Sequence, residues 1–130
     1  MCCTDNQNRE RQDAVVANGQ TIPTEDLPWN PHPKFVGVSL KHLATGADTG
    51  GRLSLHHVRI DPGCAIGDHT HVGMVEIHDV LAGHGTCTLE GSVIPYRPGI
   101  MGIMPADKVH RIEAGDGGLI LLATFSPPLV

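Results

Sequence analysis

Short apolar runs alternate with turn-forming residues along the chain from position 35 onward. Clusters of glycine, proline and aspartate separate these runs every roughly 8 to 12 residues, a spacing typical of β-sandwiches and closed barrels. No long segment of this region carries the 3.6-residue apolar period of an amphipathic helix. The pattern therefore predicts an all-β fold with a turn at 82–83 and with strands at 35–43, 53–60, 75–81, 85–89, 93–96, 100–104, 109–112 and 119–125.

The N-terminal part of the chain has a different pattern. Residues 1–13 are polar and predict a tail, whereas residues 14–22 could form a first strand or arm. The four prolines between positions 23 and 33 exclude a helix there and favour an extended strap. We therefore expect residues 1–34 to form a tail and strap, and residues 35–130 to form one barrel domain.

Composition and charge exclude several classes of partner. The 130-residue chain has a formal net charge of −5 and no cluster of Lys and Arg, which argues against binding to nucleic acid or to an anionic membrane surface. No apolar stretch is long enough to span a membrane. The N-terminus lacks the basic and apolar regions of a signal peptide, and the cysteines form no disulfide framework, so we expect a cytoplasmic protein.

Nine histidines in so short a chain are the first sign of chemistry. His69 and His71 are two residues apart, so in extended chain both side chains lie on one face, with their backbones about 7 Å apart. Glu76 follows across a bend at Gly73, at the start of the next predicted strand. His110 begins another predicted strand and is the candidate for a fourth ligand.

Three imidazoles and one carboxylate form a donor set without sulfur. Such a set suits one divalent transition metal ion, namely iron, manganese, nickel, cobalt or zinc. In an octahedral metal, four protein ligands leave positions for water, substrate or O₂, whereas a structural zinc site is normally closed and rich in cysteine. The donor set therefore predicts an open site.

Two segments resemble the motifs of the cupin superfamily. Residues 63–83 match every fixed position of its first motif, G-x5-H-x-H-x4-E-x6-G, and residues 99–110 resemble its second. Gly99, Pro105 and His110 match the second motif, whereas Asp107 replaces a usual Gly and Ala114 a usual Asn. The resemblance, to small RmlC-like cupins, implies a jelly-roll barrel with the metal inside its mouth and a homodimer.

Other polar residues are candidates for roles in the same pocket. His78 should share the inward face of Glu76 and could carry a proton in catalysis, or it could be a hydrogen-bonded residue of the barrel lining. His56 and His57 are consecutive, so one faces inward, and the sequence does not distinguish them. Arg59 could anchor a substrate carboxylate or form a salt bridge at the rim.

Three kinds of function fit these residues. The first is a metal-dependent enzyme acting on a small, partly apolar organic substrate, with dioxygenase chemistry slightly favoured over isomerase or lyase chemistry because a His/carboxylate site with open positions suits iron. The second is a module that binds or senses a small molecule without turnover. The third is a structural or storage barrel in which the metal stabilises the fold.

Overall fold

A computed structural model describes residues 12–130, and most of the predicted polar tail lies outside this range. The prediction of an all-β fold is confirmed, because the described residues contain no α-helix and only one 3₁₀ turn, at Thr24–Asp26. No helix within 12–130 has the length and apolar character needed to cross a membrane. The strands are β1 Ala14–Ala17, β2 Gln20–Pro23, β3 Asn30–Pro31, β4 Val38–Ala44, β5 Ser54–Ile60, β6 Ala65–His69, β7 Val75–Leu89, β8 Ser92–Tyr96, β9 Met101–Met104 and β10 His110–Ser126.

Two long antiparallel strands, β7 and β10, connect the two halves of the barrel. The C-terminal part of β10 pairs with β5 and with the first part of β7, and this half also contains β3, β4 and β9. The N-terminal part of β10 pairs with β6 and with the last part of β7, which in turn pairs with β8. The arrangement is a jelly roll, as the cupin resemblance implied.

The sequence pattern predicted each of the two long strands as two separate strands, and this prediction is wrong. The expected turn at 82–83 is instead a point within β7, and the strands expected at 109–112 and 119–125 are parts of one strand. Gly83 has a φ of +79°, and the pairing register shifts between Ala114 and Leu119. Four residues of β10, at 115–118, face His84 alone across this bulge, so the glycines bend the two strands without ending them.

Alternation along the strands separates the core from the surface. In β5, Ser54, His56, Val58 and Ile60 are buried, and the residues between them are half-buried. Their neighbours on the inner face of β10 are Leu119, Leu121, Ala123 and Phe125, all buried. The inner face is aliphatic at one end of the barrel and becomes polar towards the other end, where the histidines lie.

The N-terminal residues form a hairpin and a short edge strand. Among the strands that the structure describes, β1 and β2 pair only with each other, and the proline-rich strap pairs with β4 through Asn30 and Pro31. Trp29 lies between two cations on the outer face, with Lys41 Nζ 4.9 Å and the Arg59 guanidinium carbon 4.3 Å from its ring centroid. Arg59 Nε is 4.0 Å from Asp61 Oδ1, which agrees with the rim salt bridge and not with a role inside the barrel.

Candidate metal centre

The pairing of strands places the four predicted ligands together at the polar end of the barrel. His69 is the last residue of β6 and pairs with His110, the first residue of β10. Glu76 is on β7, and His71 lies in the segment between β6 and β7. One donor atom from each of these residues lies within 4.8 Å of the others, so the group could hold a metal ion.

Backbone carbonyls orient two of the imidazole rings. His69 Nδ1 is 2.7 Å from the carbonyl oxygen of Gly67, and His110 Nδ1 is 3.0 Å from that of Lys108. A carbonyl only accepts, so each Nδ1 carries the proton and donates it. The Nε2 atom of the neutral His69 ring then has a free lone pair, which is the arrangement found in most metal-binding histidines. His110 Nε2 instead lies 3.1 Å from a Glu76 carboxylate oxygen, which only accepts, so this nitrogen carries a proton that a metal ion would have to displace.

Asp107 connects the two loops that carry His71 and His110. Its φ is +67°, the left-handed conformation that the usual Gly of the cupin motif would adopt, so the replacement predicted to be mild is accommodated. Its carboxylate Oδ1 accepts a hydrogen bond from the Gly73 N–H at 2.9 Å, and its own N–H donates to the His71 carbonyl at 3.2 Å. These bonds fix the bend between the ligands.

Glu76 is the electrostatic centre of the group. It is 5% exposed, and its Oε1 lies 3.1 Å from His110 Nε2 and 3.5 Å from His71 Nε2. Burial alone would raise its pKa, but His78, His110 and His71 together hold the pKa of this carboxyl well below its usual range. The site therefore contains a buried carboxylate anion at neutral pH.

The pKa values of the ligand histidines are shifted in two directions. Burial lowers the pKa of His69 to about 4 and also lowers the pKa of His71, so both rings are neutral at pH 7. Burial would lower the pKa of His110 as well, but the hydrogen bonds with Glu76 and Lys108 outweigh it and raise that pKa. Because a metal ligand must be deprotonated, metal binding at this group should release protons from His110.

His78 lies behind Glu76 and is fully buried. Its Nε2 is 3.0 Å from Glu76 Oε2, although not aligned for a hydrogen bond, and its Nδ1 is 2.8 Å from the Tyr96 hydroxyl. The prediction that His78 lies on the inward face is therefore correct. Among the described residues, the polar contacts of His78 are with this carboxylate and this phenol, and its ring centroid also lies 6.2 Å from that of His110.

A second polar group faces the interior from β4 and β5. His56 is fully buried, which decides between the two consecutive histidines, and His57 faces outward. His56 Nδ1 is 2.8 Å from His42 Nδ1, and its Nε2 is 2.8 Å from the Ser54 hydroxyl. The sequence pattern also contained a usable signal for His42 that was missed: His42 follows Leu40 by two residues and Val38 by four, so all three lie on the inward face of β4.

No curated protein sequence matches the chain. Among solved structures, KdgF from Halomonas sp. is 23% identical with a TM-score of 0.69, over 79% of this chain and 88% of KdgF. A predicted oxalate decarboxylase from Thermotoga maritima is 23% identical with a TM-score of 0.74, over 80% and 96% of the two chains.

An RmlC-like cupin from Shewanella frigidimarina is 20% identical, with a TM-score of 0.69 over 79% of this chain and 86% of the cupin. At these identities the likeness shows the fold alone. A family model described as Cupin domain matches residues 56–125, more than half of the chain and including all four donors of the group. The protein belongs to the cupin family.

Proposed function

We propose that this cupin is a metal-dependent enzyme that holds one divalent transition metal ion through His69, His71, Glu76 and His110 and acts on a small organic substrate. The observation that supports the proposal best is the set of four convergent donors, with two imidazoles already oriented by backbone carbonyls. Iron, manganese, nickel and zinc all fit three imidazoles and one carboxylate. When bound, such an ion supplies a Lewis acid or, for iron, a centre for O₂ chemistry.

The residues around the donors prepare the site in advance. The negative charge of Glu76 offsets part of the positive charge of a dication. The hydrogen bonds of Asp107 hold the loop that carries His71. The ring of Phe125 packs against His71, with centroids 4.9 Å apart. This packing restricts water on one side of the site and leaves a partly apolar surface for the carbon skeleton of a substrate.

His78 remains the predicted proton carrier of the site. Its contact with Glu76 means that it acts through this carboxylate, by fixing the position of Oε2 and by holding a proton close to it. Tyr96 donates or accepts at His78 Nδ1 and thereby limits rotation of the ring. Within this proposal His78 therefore keeps its predicted role as a proton carrier and also positions the Glu76 carboxylate.

Dioxygenase chemistry is the first reaction to test, because a His/carboxylate site with open positions suits iron and O₂. Lyase or isomerase chemistry is the second candidate. It is favoured by the names of similar structures, which include a predicted oxalate decarboxylase from Thermotoga maritima and the polyketide cyclase RemF from Streptomyces resistomycificus. O₂ uptake by iron-loaded protein with enediol, catechol or thiol substrates would indicate dioxygenase chemistry. Turnover of the same substrates without O₂, followed by NMR, would indicate lyase or isomerase chemistry.

The metal site itself is tested by elemental mass spectrometry of untagged protein. We expect close to one equivalent of iron, manganese, nickel or zinc in the wild type. His69→Ala and His110→Ala should each weaken metal affinity more than about 100-fold, since loss of groups that merely orient a ligand already costs 10- to 100-fold. His84→Ala removes an exposed histidine outside the group and is the matched control, expected to retain metal.

Two results would contradict the proposed metal site. Wild-type protein that takes up none of these metals after reconstitution with each ion would contradict the proposal. So would equal metal content in the wild type and in the His69→Ala/His110→Ala double variant, because the metal would then be held elsewhere. Circular dichroism of each variant shows whether the barrel is still folded.

A further inference from the structure

The second polar group of the barrel lies close to the proposed metal centre. Along the paired strands, His42 is opposite His56, His56 is opposite Ala123, and Ala123 is opposite His78. His56 is therefore level with His78 and two strand spacings, about 10 Å, away along the same sheet. Phe125 connects the two groups, with its ring centroid 5.6 Å from that of His56 and 4.9 Å from that of His71.

The hydrogen bonds of this second group have a definite direction. The Leu129 N–H donates to the Ser54 hydroxyl oxygen at 2.8 Å. Ser54 is fully buried, and among residues 12–130 its hydroxyl proton has no acceptor other than His56 Nε2, so the hydroxyl donates to that nitrogen. His56 is neutral at pH 7, because burial lowers its pKa to about 4. A neutral imidazole that accepts at Nε2 carries its proton on Nδ1, so His56 donates to His42 Nδ1.

This direction decides the hydrogen-bonding character of the remaining nitrogen. If His42 accepts at Nδ1, its neutral ring carries the proton on Nε2 and can only donate there. Within residues 12–130, His42 Nε2 has no hydrogen-bond partner and is not sealed from solvent. A ring fixed by Ser54 and His56 therefore offers one N–H without a partner among the described residues, and a ligand atom could accept a hydrogen bond from it.

We propose that His42 contacts the substrate and donates a hydrogen bond from Nε2 to an oxygen atom remote from the one that binds the metal. The inference rests on the proposed metal centre and deepens it by naming a second attachment point. Ser54 and His56 are positioning residues that fix the ring and its tautomer. The substrate class is then a small organic acid or oxo compound with a metal-chelating group at one end and an oxygen acceptor, such as a carboxylate, at the other.

The contact is tested with zinc-loaded protein and matched pairs of 2-oxo acids by titration calorimetry. 2-Oxoglutarate and 2-oxoadipate carry a remote carboxylate, whereas 2-oxopentanoate and 2-oxohexanoate have the same chain lengths and end in a methyl group. We expect at least one dicarboxylate to bind ten-fold or more tightly than its partner, because hydrogen bonds to charged groups are among the strongest. His42→Phe should bring this ratio close to one and leave the affinity for the monocarboxylates unchanged.

Two further variants make the result specific. His42→Gln keeps a donor of similar reach and should retain part of the preference. His57→Gln changes the neighbouring, outward-facing histidine and should retain all of it. A wild type that prefers neither dicarboxylate, or a preference that survives in His42→Phe, would overturn the proposal. Failure of the wild type to hold zinc would instead contradict the proposed function.

A second measurement decides the hydrogen-bond chain without any ligand or metal. Long-range ¹H–¹⁵N correlation spectra of protein labelled with ¹⁵N-histidine report which ring nitrogen carries the proton. We expect the Nδ1–H tautomer for His56 and the Nε2–H tautomer for His42, and a mixture of tautomers in Ser54→Ala. An Nδ1–H tautomer at His42 in the wild type would overturn the proposal, because its Nε2 would then be an acceptor.

Discussion

A fully buried histidine such as His56 couples the stability of the barrel to pH. The ring has two hydrogen-bond partners and an aromatic neighbour, and no carboxylate within residues 12–130 is in direct contact with it. Burial, with a smaller contribution from the nearby His42, lowers its pKa from 6.5 to about 4. The unfolded chain therefore takes up a proton at this residue at a higher pH than the folded protein does.

This shift predicts a loss of stability in acid. Above pH 6.5 the ring is neutral in both states, and between pH 6.5 and pH 4 only the unfolded state is protonated, so the free energy of unfolding falls as the pH is lowered through this window. The loss attributable to His56 should be about 3 kcal/mol at most. Urea unfolding of metal-free protein at pH 7.5 and pH 4 should show a smaller loss for His56→Gln than for the wild type. Equal losses in the two proteins would contradict the prediction.

At the scale of residues, the sequence predicted the chemistry of the metal group better than that of its surroundings. The spacing of His69, His71 and Glu76 is a local signal that survives any error in strand parity, and the structure brings these residues together with His110. The pairing of His42 with His56 depends instead on two strands being adjacent with one particular register. The local alternation of Val38, Leu40 and His42 indicates which face His42 lies on, but which residue of the neighbouring strand it meets depends on the register, and nothing local to the sequence fixes that.

At the scale of elements, the bulge shared by β7 and β10 allows both strands to take part in both halves of the barrel. At Gly83 the backbone is left-handed, and a Cβ there would meet the carbonyl oxygen of Gly118 on the facing strand. Gly91, in the turn between β7 and β8, also has a positive φ, but a Cβ at that position would meet nothing within 4 Å. The two positions thus share the backbone conformation and differ in the approach of the neighbouring strand.

The difference between Gly83 and Gly91 predicts different costs for their replacement by alanine. Gly91→Ala should lower the free energy of unfolding by about 1 to 2 kcal/mol, the cost of a left-handed conformation at a residue with a Cβ. Gly83→Ala should cost at least about 1 kcal/mol more than this, since the strands must also move apart. Chemical denaturation of both variants beside the wild type measures the difference. A Gly83→Ala variant no less stable than Gly91→Ala would show that the close approach is unimportant.

The same glycine explains why the sequence placed a turn where the strand continues. In a sequence, a glycine between two apolar runs usually indicates a turn. A bulge within one continuous strand also favours a glycine, so over such a short stretch the two cannot be distinguished. The partner strand decides between a turn and a bulge at this glycine: β10 extends past it on both sides and pairs with β7 on each side, so β7 continues. Most of the strand-forming runs were therefore predictable, although β6 was missed, and the fusion of four of these runs into the two long strands was not.

At the scale of the whole molecule, the barrel has an outer surface that is unusually apolar in one place. On the outward face of β7 and β9, Ile77 pairs with Ile103, with 40% and 64% of the two side chains exposed. Val75 and Met101 extend this outer patch and are also exposed. Contiguous apolar surfaces of this kind commonly mark protein–protein contacts, and the cupin resemblance implied a homodimer.

We expect this outer patch, defined by Val75, Ile77, Met101 and Ile103, to be the surface through which two copies associate. The matched control is Val93 on β8, which is 66% exposed but lies outside the patch. Light scattering coupled to gel filtration should give the mass of a dimer for the wild type and for Val93→Lys. The mass should fall to that of a monomer, 13.8 kDa, for the Ile77→Lys/Ile103→Lys double variant, because two buried ammonium groups on each copy would lack partners. A monomeric wild type would contradict the expected dimer, whereas a double variant that stays dimeric would place the contact on another face of the barrel.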